Sequence, residues 1–470
     1  MSRAAVVGSG PNGLAAALTL AAAGLQVTVY EAADRLGGGV RSTDLTLPGL
    51  IHDDCAAAHP LAVDTPFSRR FALESHGLIW CWPEVQYSHP LDAGRGGAAY
   101  RSVADTATGL PASGGSWASV FGPLNDSFDA LAEDIFRPTL HVPAHPLKLA
   151  HFGALSALPA SVLARRFGSQ EGQALFAGVA AHAFRPLGSA MSSAVGLVLG
   201  TAAHHYGWPV AHGGSGAITA AMVSAARQLD VRFETGVRVE SLAALGQLDA
   251  VMLDTSPRAA VSICGSAMPG GVARALRRFR YGPGAFKLDL AVEGGIPWAH
   301  EPSHRAGTVH VGGTLKEIAA AEAMVARRTM PERPFVLVCQ QYLADPSRSA
   351  GNVHPVYAYA HVPAGWDGDA SDAIESQIER YAPGFRERIL ARHVRSVSEL
   401  ESYNANYIGG DIATGANDPR QMLFRPRAAV DPYSLGIPGV YLCSAATPPG
   451  AGAHGICGYN AANSALRHLG

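Results

Sequence analysis

Short apolar runs separated by glycine-rich turns form a clear pattern at the start of the chain. Residues 4–7 are apolar and few, which predicts a buried parallel strand. The alanine- and leucine-rich residues 14–23 predict a helix that ends at Gly24, and residues 26–30 predict a second strand. This order of elements predicts a Rossmann-type βαβ unit and therefore an α/β fold.

The loop between the first strand and the helix has the glycine spacing of a dinucleotide site. Gly8, Gly10 and Gly13 stand at G-x-G-x-x-G positions, with Pro11 and Asn12 between them. The first glycine permits a tight turn, the second lets the backbone approach a pyrophosphate, and the third lets the helix pack on the strand. Because the helix also presents free N–H groups there, we predict that these five residues bind a cofactor.

An acidic residue and a second glycine cluster follow the second strand. Glu31 stands near the ~20-residue distance expected for the acid that accepts hydrogen bonds from an adenosine ribose. The cluster gives a second close backbone approach, as an extended FAD requires, and its arginines could neutralise a pyrophosphate. The alternative is a solvent-exposed turn. The candidate cofactor-binding residues here are Glu31, Ala32, Arg35, Gly37, Gly38, Gly39, Val40 and Arg41.

The end of the chain repeats the order of strand, glycine-rich loop and helix. Residues 444–455 carry no formal charge, so their backbone amides are the natural ligands at the start of the last helix. We predict that they bind the flavin pyrimidine and the pyrophosphate, with a plain surface loop as the alternative. The candidate residues are Ser444, Ala445, Gly452, His454, Gly455 and Ile456.

Charge is scarce in the middle of the chain. Between residues 168 and 226 the only formally charged residues are Glu171 and Arg185. A helical region of this composition predicts either the wall of an apolar substrate pocket or an ordinary buried core. Peripheral contact with a membrane, shared with residues 147–167, is a third alternative.

Overall composition excludes several classes of protein. Apolar residues make up 48% and charged residues 16%, which excludes a disordered chain. The net charge of −2 provides no strong field for nucleic acid, so no nucleic-acid partner is expected. The six cysteines form no C-x-x-C pair, no signal peptide is recognisable, and no apolar run approaches ~20 residues. These features favour a cytoplasmic protein without a bound metal.

The two ends and several inner segments together resemble the phytoene-desaturase-like (carotenoid and retinoid oxidoreductase) flavoproteins. The resemblance covers nearly the whole chain, includes residues 52–60, 208–216, 284–298, 345–347, 404–411 and 457–462, and is nearest to the phytoene-dehydrogenase-related branch of the amine-oxidase-type FAD superfamily. It implies a glutathione-reductase-like FAD domain formed by residues 1–85, 208–282 and 398–470. A substrate domain of mixed sheet and helices, formed by residues 86–207 and 283–397, would be interleaved with it.

The same resemblance assigns further site residues. It implies that Val239 places its backbone against the adenine and that Lys287 faces the flavin N5, often through a water. It also places His59 and His454 near the isoalloxazine, where either contacts the cofactor and could accept a proton. From the residues alone, Lys287 could instead pair with Asp289, and each histidine could be a structural hydrogen-bonding group.

The function that the resemblance implies is dehydrogenation of an apolar, isoprenoid- or polyene-like substrate by a non-covalent FAD, with O₂ or a quinone as the electron acceptor. No second nucleotide motif accompanies a strand and an acid, so a separate NAD domain is not expected. A flavin-dependent isomerase without net redox change and a flavin-binding protein without turnover remain as alternatives. Because no aromatic residue lies between Leu442 and Gly458, amine substrates are disfavoured. The sequence carries no signal for oligomeric state.

Overall fold

The computed structural model describes residues 2–469 and is built around two large β-sheets. Within these residues the strands are β1 Arg3–Val7, β2 Gln26–Glu31, β3 Ser42–Thr43, β4 His52–Asp53, β5 Trp80–Cys81, β6 Val85–Pro90, β7 Gly96–Ala99, β8 Val210–Ala211, β9 Arg232–Thr235, β10 Ala250–Leu253, β11 Gly284–Glu293, β12 Ala306–Val311, β13 Val336–Cys339, β14 Val353–Val362, β15 Ile389–Arg395 and β16 Val440–Leu442. The α-helices are α1 Pro11–Ala21, α2 Pro66–Phe71, α3 Val103–Thr108, α4 Gly114–Asp126, α5 Phe128–Ile135, α6 Pro146–Ser156, α7 Ala160–Ala164, α8 Gln170–Ala181, α9 Ser193–His205, α10 Gly216–Gln228, α11 Pro257–Cys264, α12 Gly270–Arg277, α13 Leu315–Ala326, α14 Ser371–Tyr381, α15 Val397–Tyr403, α16 Pro419–Leu423 and α17 Ile456–Leu469.

The first sheet has five strands in the order β16-β10-β1-β2-β9, and all neighbours run parallel. Strands β1, β10 and β16 are apolar and almost wholly buried because helices cover both faces, whereas β9 at the edge is largely exposed. Along β10, Ala250 and Met252 pack toward α1, α10 and α17, whereas Val251 and Leu253 pack toward α11 and α12. Because successive side chains of a strand point to opposite faces, β10 contributes alternate residues to two hydrophobic cores.

The second sheet has seven strands in the order β15-β11-β14-β13-β12-β6-β7. Only β12 and β6 pair in parallel, and the other neighbours are antiparallel. One face packs on α14, and the other packs on a helical layer that includes α4, α7 and α8. Two short antiparallel pairs, β3–β4 and β5–β8, complete the pairing.

The α/β fold predicted from the sequence, with a Rossmann-type sheet and a second mixed sheet, is confirmed. All five strands of the parallel sheet lie inside residues 1–85, 208–282 and 398–470, although the exact domain boundaries stay a prediction. Helix α1 begins at Pro11, earlier than the predicted residue 14, because a proline is well suited to the first helical turn. Strand β9 is shorter than the predicted residues 231–239.

A buried ion cluster joins the two sheets. The Arg348 guanidinium lies 2.5 Å from Asp53 at the end of β4 and 3.1 Å from Asp345. Asp53 also accepts the backbone N–H of Ser215 at 2.6 Å, ahead of α10. Burial alone would raise the pKa of Asp53, but the Arg348 charge and these hydrogen bonds hold it below its usual value.

The first and last helices are packed in close contact. A Cβ atom at Gly458 in α17 would lie 1.7 Å from the Asn12 carbonyl oxygen in α1, so no side chain fits at this position. The six cysteines are free thiols. In the part of the chain that the structure describes, the helices are too short or too polar to span a bilayer.

The Gly458 contact predicts a strong difference between two glycine substitutions. Gly458→Ala forces α17 away from α1 and should lower the free energy of unfolding by about 1–3 kcal/mol, as overpacking usually does. Gly122→Ala is the matched control, since Gly122 lies inside α4 with open space around its Cβ position and should gain up to about 0.5–1 kcal/mol. Urea denaturation measures both. An equal change in the free energy of unfolding of the two variants would contradict the packing argument.

Candidate functional site

A cavity of about 1640 Å³ lies between the two sheets. It opens where parallel strands end, because Val7, Tyr30, Asp254 and Ser444 all line it at or just beyond their strands. Ligands bind at the carboxyl edge of such sheets. The volume exceeds the ~300–1,000 Å³ of an ordinary small-molecule pocket, so the cavity has room for a dinucleotide and a second molecule.

The glycine loop forms the first wall of this cavity. Gly8 has a φ of +101°, and a Cβ atom at Gly10 would lie 2.7 Å from the Asp254 carboxylate. Gly13 faces away from the cavity, where its Cβ would lie 2.1 Å from the Gly8 carbonyl. The N-cap residue Gly10 contributes no side chain to cap α1, so the loop itself presents bare backbone at a positive helix end, as an anionic ligand requires.

Asp254 is a site residue that the sequence reasoning missed. It follows β10, and its Oδ2 accepts the backbone N–H of Gly13 at 2.9 Å. Burial raises the pKa of Asp254 to about 7, the N–H groups of Gly13 and Gly10 oppose this rise, and the charge of Glu31 adds to it. An acid at the carboxyl end of a strand adjoining β1 was the signal available in the sequence.

Glu31 lies beside the glycine loop and lines the cavity. Its carboxylate accepts the backbone N–H groups of Ser9 at 3.0 Å and Ala33 at 2.9 Å, and Arg41 lies 3.9 Å away. Arg41 is buried and also lines the cavity, whereas Arg35 is exposed and lies outside it. Of the two predicted arginines, only Arg41 is placed to meet a ligand.

The predicted cofactor-binding residues fall into two groups. Those that line the cavity are Gly8, Gly10, Pro11, Asn12, Glu31, Ala32, Gly38, Gly39, Val40, Arg41, Val239, Ser444, Ala445 and Gly452. Those that lie outside its lining are Gly13, Arg35, Gly37, His59, His454, Gly455 and Ile456. The N-terminal loop, the Val239 segment and the C-terminal loop thus meet around one space.

Lys287 lies one layer behind the cavity wall. It is buried on β11 and forms an ion pair with Asp289. Its Nζ lies 4.5 Å from the centre of the Tyr357 ring, and Tyr357 lines the cavity. Burial would raise the pKa of Asp289, but the Lys287 charge holds it well below its usual value. The pairing with Asp289 is therefore present, and contact of Lys287 with a flavin stays a prediction.

The two predicted histidines hold local structure in place. His59 Nε2 lies 2.9 Å from the Ser215 hydroxyl, and His454 Nδ1 accepts the N–H of Ile456 at 3.0 Å, at the start of α17. Burial lowers the pKa of each imidazole to about 4, so both are neutral at pH 7. Neither side chain lines the cavity, and a catalytic role for either stays a prediction.

The charge-poor segment of residues 168–226 forms the opposite, apolar wall. Phe184, Met191, Val195 and Leu199 line the cavity, while other residues of the segment fill the core beneath it. The segment therefore forms both a wall of the cavity and part of the buried core. The facing wall comes from the seven-stranded sheet through Tyr357 and neighbouring side chains.

Arg425 places an unbalanced positive charge on the cavity wall. It is only 4% exposed, and it donates to the Gln421 carbonyl at 3.2 Å and to Asn417 Oδ1 at 2.9 Å. Among the described residues no carboxylate lies within ion-pair distance of it, in contrast to Arg348. Burial lowers the pKa of its guanidinium. An unpaired buried charge is costly, so this arginine suits an anionic group in the cavity.

The cysteines and the other possible metal ligands add no separate centre. Cys443 and Cys457 are buried beside the C-terminal loop and do not line the cavity. Across residues 2–469, His, Cys, Asp and Glu side chains form no cluster of three or more suited to a metal ion.

Comparison with known proteins supports the N-terminal assignment. Residues 6–72 match the family described as NAD(P)-binding Rossmann-like domain. Pyridine nucleotide-disulfide oxidoreductase domain-containing protein 2 of Rattus norvegicus is 31% identical over 150 residues, which are 29% of this chain and 26% of the rat protein. The match thus spans about a quarter of that relative.

Solved structures resemble the whole chain. Cyclohexylamine oxidase from Brevibacterium oxydans is 15% identical with a TM-score of 0.58, covering 100% of this chain and 99% of that protein. A CLA-producing fatty acid isomerase from P. acnes is 12% identical with a TM-score of 0.59, and the match covers 99% of this chain and 98% of that protein. At these identities the likeness establishes the fold. Residues 6–72 thus resemble an NAD(P)-binding Rossmann-like domain, and the whole chain shares the overall fold of these solved structures.

Proposed function

We propose that the chain is an FAD-dependent oxidoreductase that dehydrogenates an apolar small molecule. The observation that carries the proposal is the single cavity, which runs from Glu31 and the glycine loop past the C-terminal loop to the apolar wall at Phe184. Such a space brings a dinucleotide and an apolar substrate together without any second domain.

The residues present fit FAD. The uncapped start of α1 suits the pyrophosphate, Glu31 suits the ribose hydroxyls, and Val239 lies on the same wall. Gly452 and Ala445 line the same cavity on the C-terminal loop, so one extended ligand such as FAD can contact both loops. Because Cys443 and Cys457 face away, the cofactor would be held non-covalently.

Bound FAD would supply a two-electron acceptor for hydride from a substrate C–H bond, and O₂ or a quinone would reoxidise it. The chain itself positions the substrate and excludes water through Phe184, Met191 and their neighbours. Arg425 would balance negative charge that develops beside the C-terminal loop.

The substrate class follows from the wall opposite the glycine loop. The only charged residues between 168 and 226, Glu171 and Arg185, are engaged with Arg95 and the Asn417 carbonyl. An apolar molecule therefore suits this wall better than a diamine. Structural neighbours named as an oxidase and as a fatty acid isomerase support small-molecule chemistry on this fold. Assignment to the phytoene-dehydrogenase-related branch, and hence a polyene substrate, is part of the proposal.

The first test of this function is the cofactor itself. The purified protein should be yellow and release FAD on denaturation. Glu31→Gln should weaken FAD binding about 10- to 100-fold, because a hydrogen bond to a charged group contributes about 1.5–3 kcal/mol. Glu234→Gln on the exposed neighbouring strand β9 is the control and should leave the affinity unchanged. Dissociation constants come from flavin fluorescence. A colourless protein that does not bind added FAD would contradict the proposed function.

Asp254 predicts that FAD affinity depends on pH. Because burial raises its pKa to about 7, Asp254 is protonated below that pH and charged above it. A charged Asp254 repels the pyrophosphate, so FAD affinity should fall as pH rises from 6 to 8, by at most about tenfold per pH unit. Asp254→Asn should abolish the pH dependence of FAD affinity. An equal change of affinity with pH in the wild-type protein and in Asp254→Asn would contradict this role for Asp254.

Anaerobic mixing with substrate separates dehydrogenation from isomerisation. Any ligand that co-purifies should first be identified by mass spectrometry of an organic extract, and the compound then added to the oxidised protein without O₂. A dehydrogenase should lose its yellow absorbance in proportion to the product formed, since each turnover transfers two electrons. Product formation with unchanged absorbance would instead establish an isomerase without net redox change.

A further inference from the structure

A pair of histidines lies where the apolar wall meets the seven-stranded sheet. His182 follows α8 and lines the cavity, and His310 lies on β12, fully buried. Their Nε2 atoms are 2.8 Å apart, although the residues are 128 positions apart in the sequence. The Trp208 ring packs edge-on against His182 at 5.5 Å between centroids. Nothing in the proposed flavin chemistry uses this pair.

The contact between two imidazoles fixes where their protons lie. Both rings are neutral at pH 7, because burial lowers the pKa of His182 to about 3 and that of His310 well below its usual value. One Nε2 must therefore carry a hydrogen and the other must accept it. Two arrangements satisfy this condition, and they differ in the state of the two Nδ1 atoms.

Burial decides between the two arrangements. His310 Nδ1 is enclosed by protein and has no hydrogen-bond partner. If it carried the hydrogen, a buried N–H would be left unpaired, which proteins tolerate less readily than an unpaired acceptor. The hydrogen of His310 therefore lies on Nε2 and is donated to His182. His182 must then carry its own hydrogen on Nδ1, an atom without a protein partner among the described residues.

We infer that His182 presents a neutral N–H donor to the apolar part of the cavity, and that the substrate carries an uncharged carbonyl or hydroxyl oxygen at this position. An N–H donor on an apolar wall favours a ligand that can accept it, and it disfavours a pure hydrocarbon. Tyr359 supports this placement, since its hydroxyl also belongs to the lining and lacks a protein partner among residues 2–469. The substrate assignment rests on the proposed function, whereas the proton arrangement does not.

A carboxylate is a poorer match for this position. His182 is neutral, and the nearby Arg185 donates to the Asn417 carbonyl at 2.5 Å. Two other histidines lie near the pair: His361 is bonded to Glu322 at 2.7 Å, and His89 Nε2 lies 2.7 Å from the Gly313 carbonyl oxygen. His182 itself therefore offers a buried anion no positive charge, whereas an uncharged oxygen satisfies its N–H donor without one.

Two isosteric probes test the inference on the protein as purified. The ketone 2-decanone and the alkene 2-methyl-1-decene differ only by replacement of the carbonyl oxygen with a methylene group, and equilibrium dialysis measures their binding. His182→Phe should weaken ketone binding about fivefold, the value of one hydrogen bond near 1 kcal/mol, and leave alkene binding unchanged or tighter. His182→Gln keeps a donor and should restore much of the preference. His151→Phe, an exposed position on α6, is the control.

A second measurement needs no ligand. Nitrogen-15 NMR of histidine-labelled protein, with His182 assigned through its loss in His182→Phe, should show the hydrogen on Nδ1. A hydrogen on Nε2, or equal loss of ketone and alkene binding in His182→Phe, overturns the inference. If neither probe binds to the wild-type protein, the NMR result decides alone. Flavin content is recorded for every sample. A protein without FAD would refute the proposed function, but the binding and NMR measurements would still test the inference about His182.

Discussion

The buried Arg348–Asp53 ion pair is the interaction on which the rest of the site depends. Asp53 belongs to the short β4 strand, and Arg348 to the loop between β13 and β14, so the pair joins the two halves of the molecule. Asp53 also holds the N–H of Ser215 ahead of α10, and Arg348 donates to the carbonyl of Ala211. Removing one partner of such a pair leaves a buried charge and typically costs about 3–5 kcal/mol. The cluster therefore fixes β4, the loop between β13 and β14, and the start of α10 relative to one another.

Local sequence signals identified the segments that form one wall of the cavity. The glycine loop, Glu31 and the C-terminal loop are each contiguous, and each carries residues whose backbone freedom or lack of charge points to a ligand. Contacts between distant segments were beyond such signals. The pairing of His182 with His310 depends on how α8 packs on β12, and the isolation of Arg425 depends on which carboxylates lie elsewhere. Neither arrangement has a fixed spacing that a sequence could display.

Three residues chosen for their chemistry turn out to have clear structural contacts. Lys287 pairs with Asp289, His59 contacts Ser215, and His454 accepts a hydrogen bond at the start of α17. All three lie close to residues that line the cavity, but their own side chains lie outside its lining, and a role beside a flavin stays a prediction. Proximity along the chain to a ligand-binding motif is therefore a weaker guide than exposure to the cavity, which depends on the direction of each side chain in the folded sheet.

The close contact between Gly458 and Asn12 has a consequence for how the protein is made. Helix α1 leaves the ribosome well before the edge strand β16 and before α17, the helix that covers its apolar face. The parallel sheet must therefore wait for segments that are distant in sequence, and part of its apolar surface stays uncovered until they are made. We expect a need for chaperones that shield the nascent N-terminal segment, whereas the antiparallel sheet can form earlier.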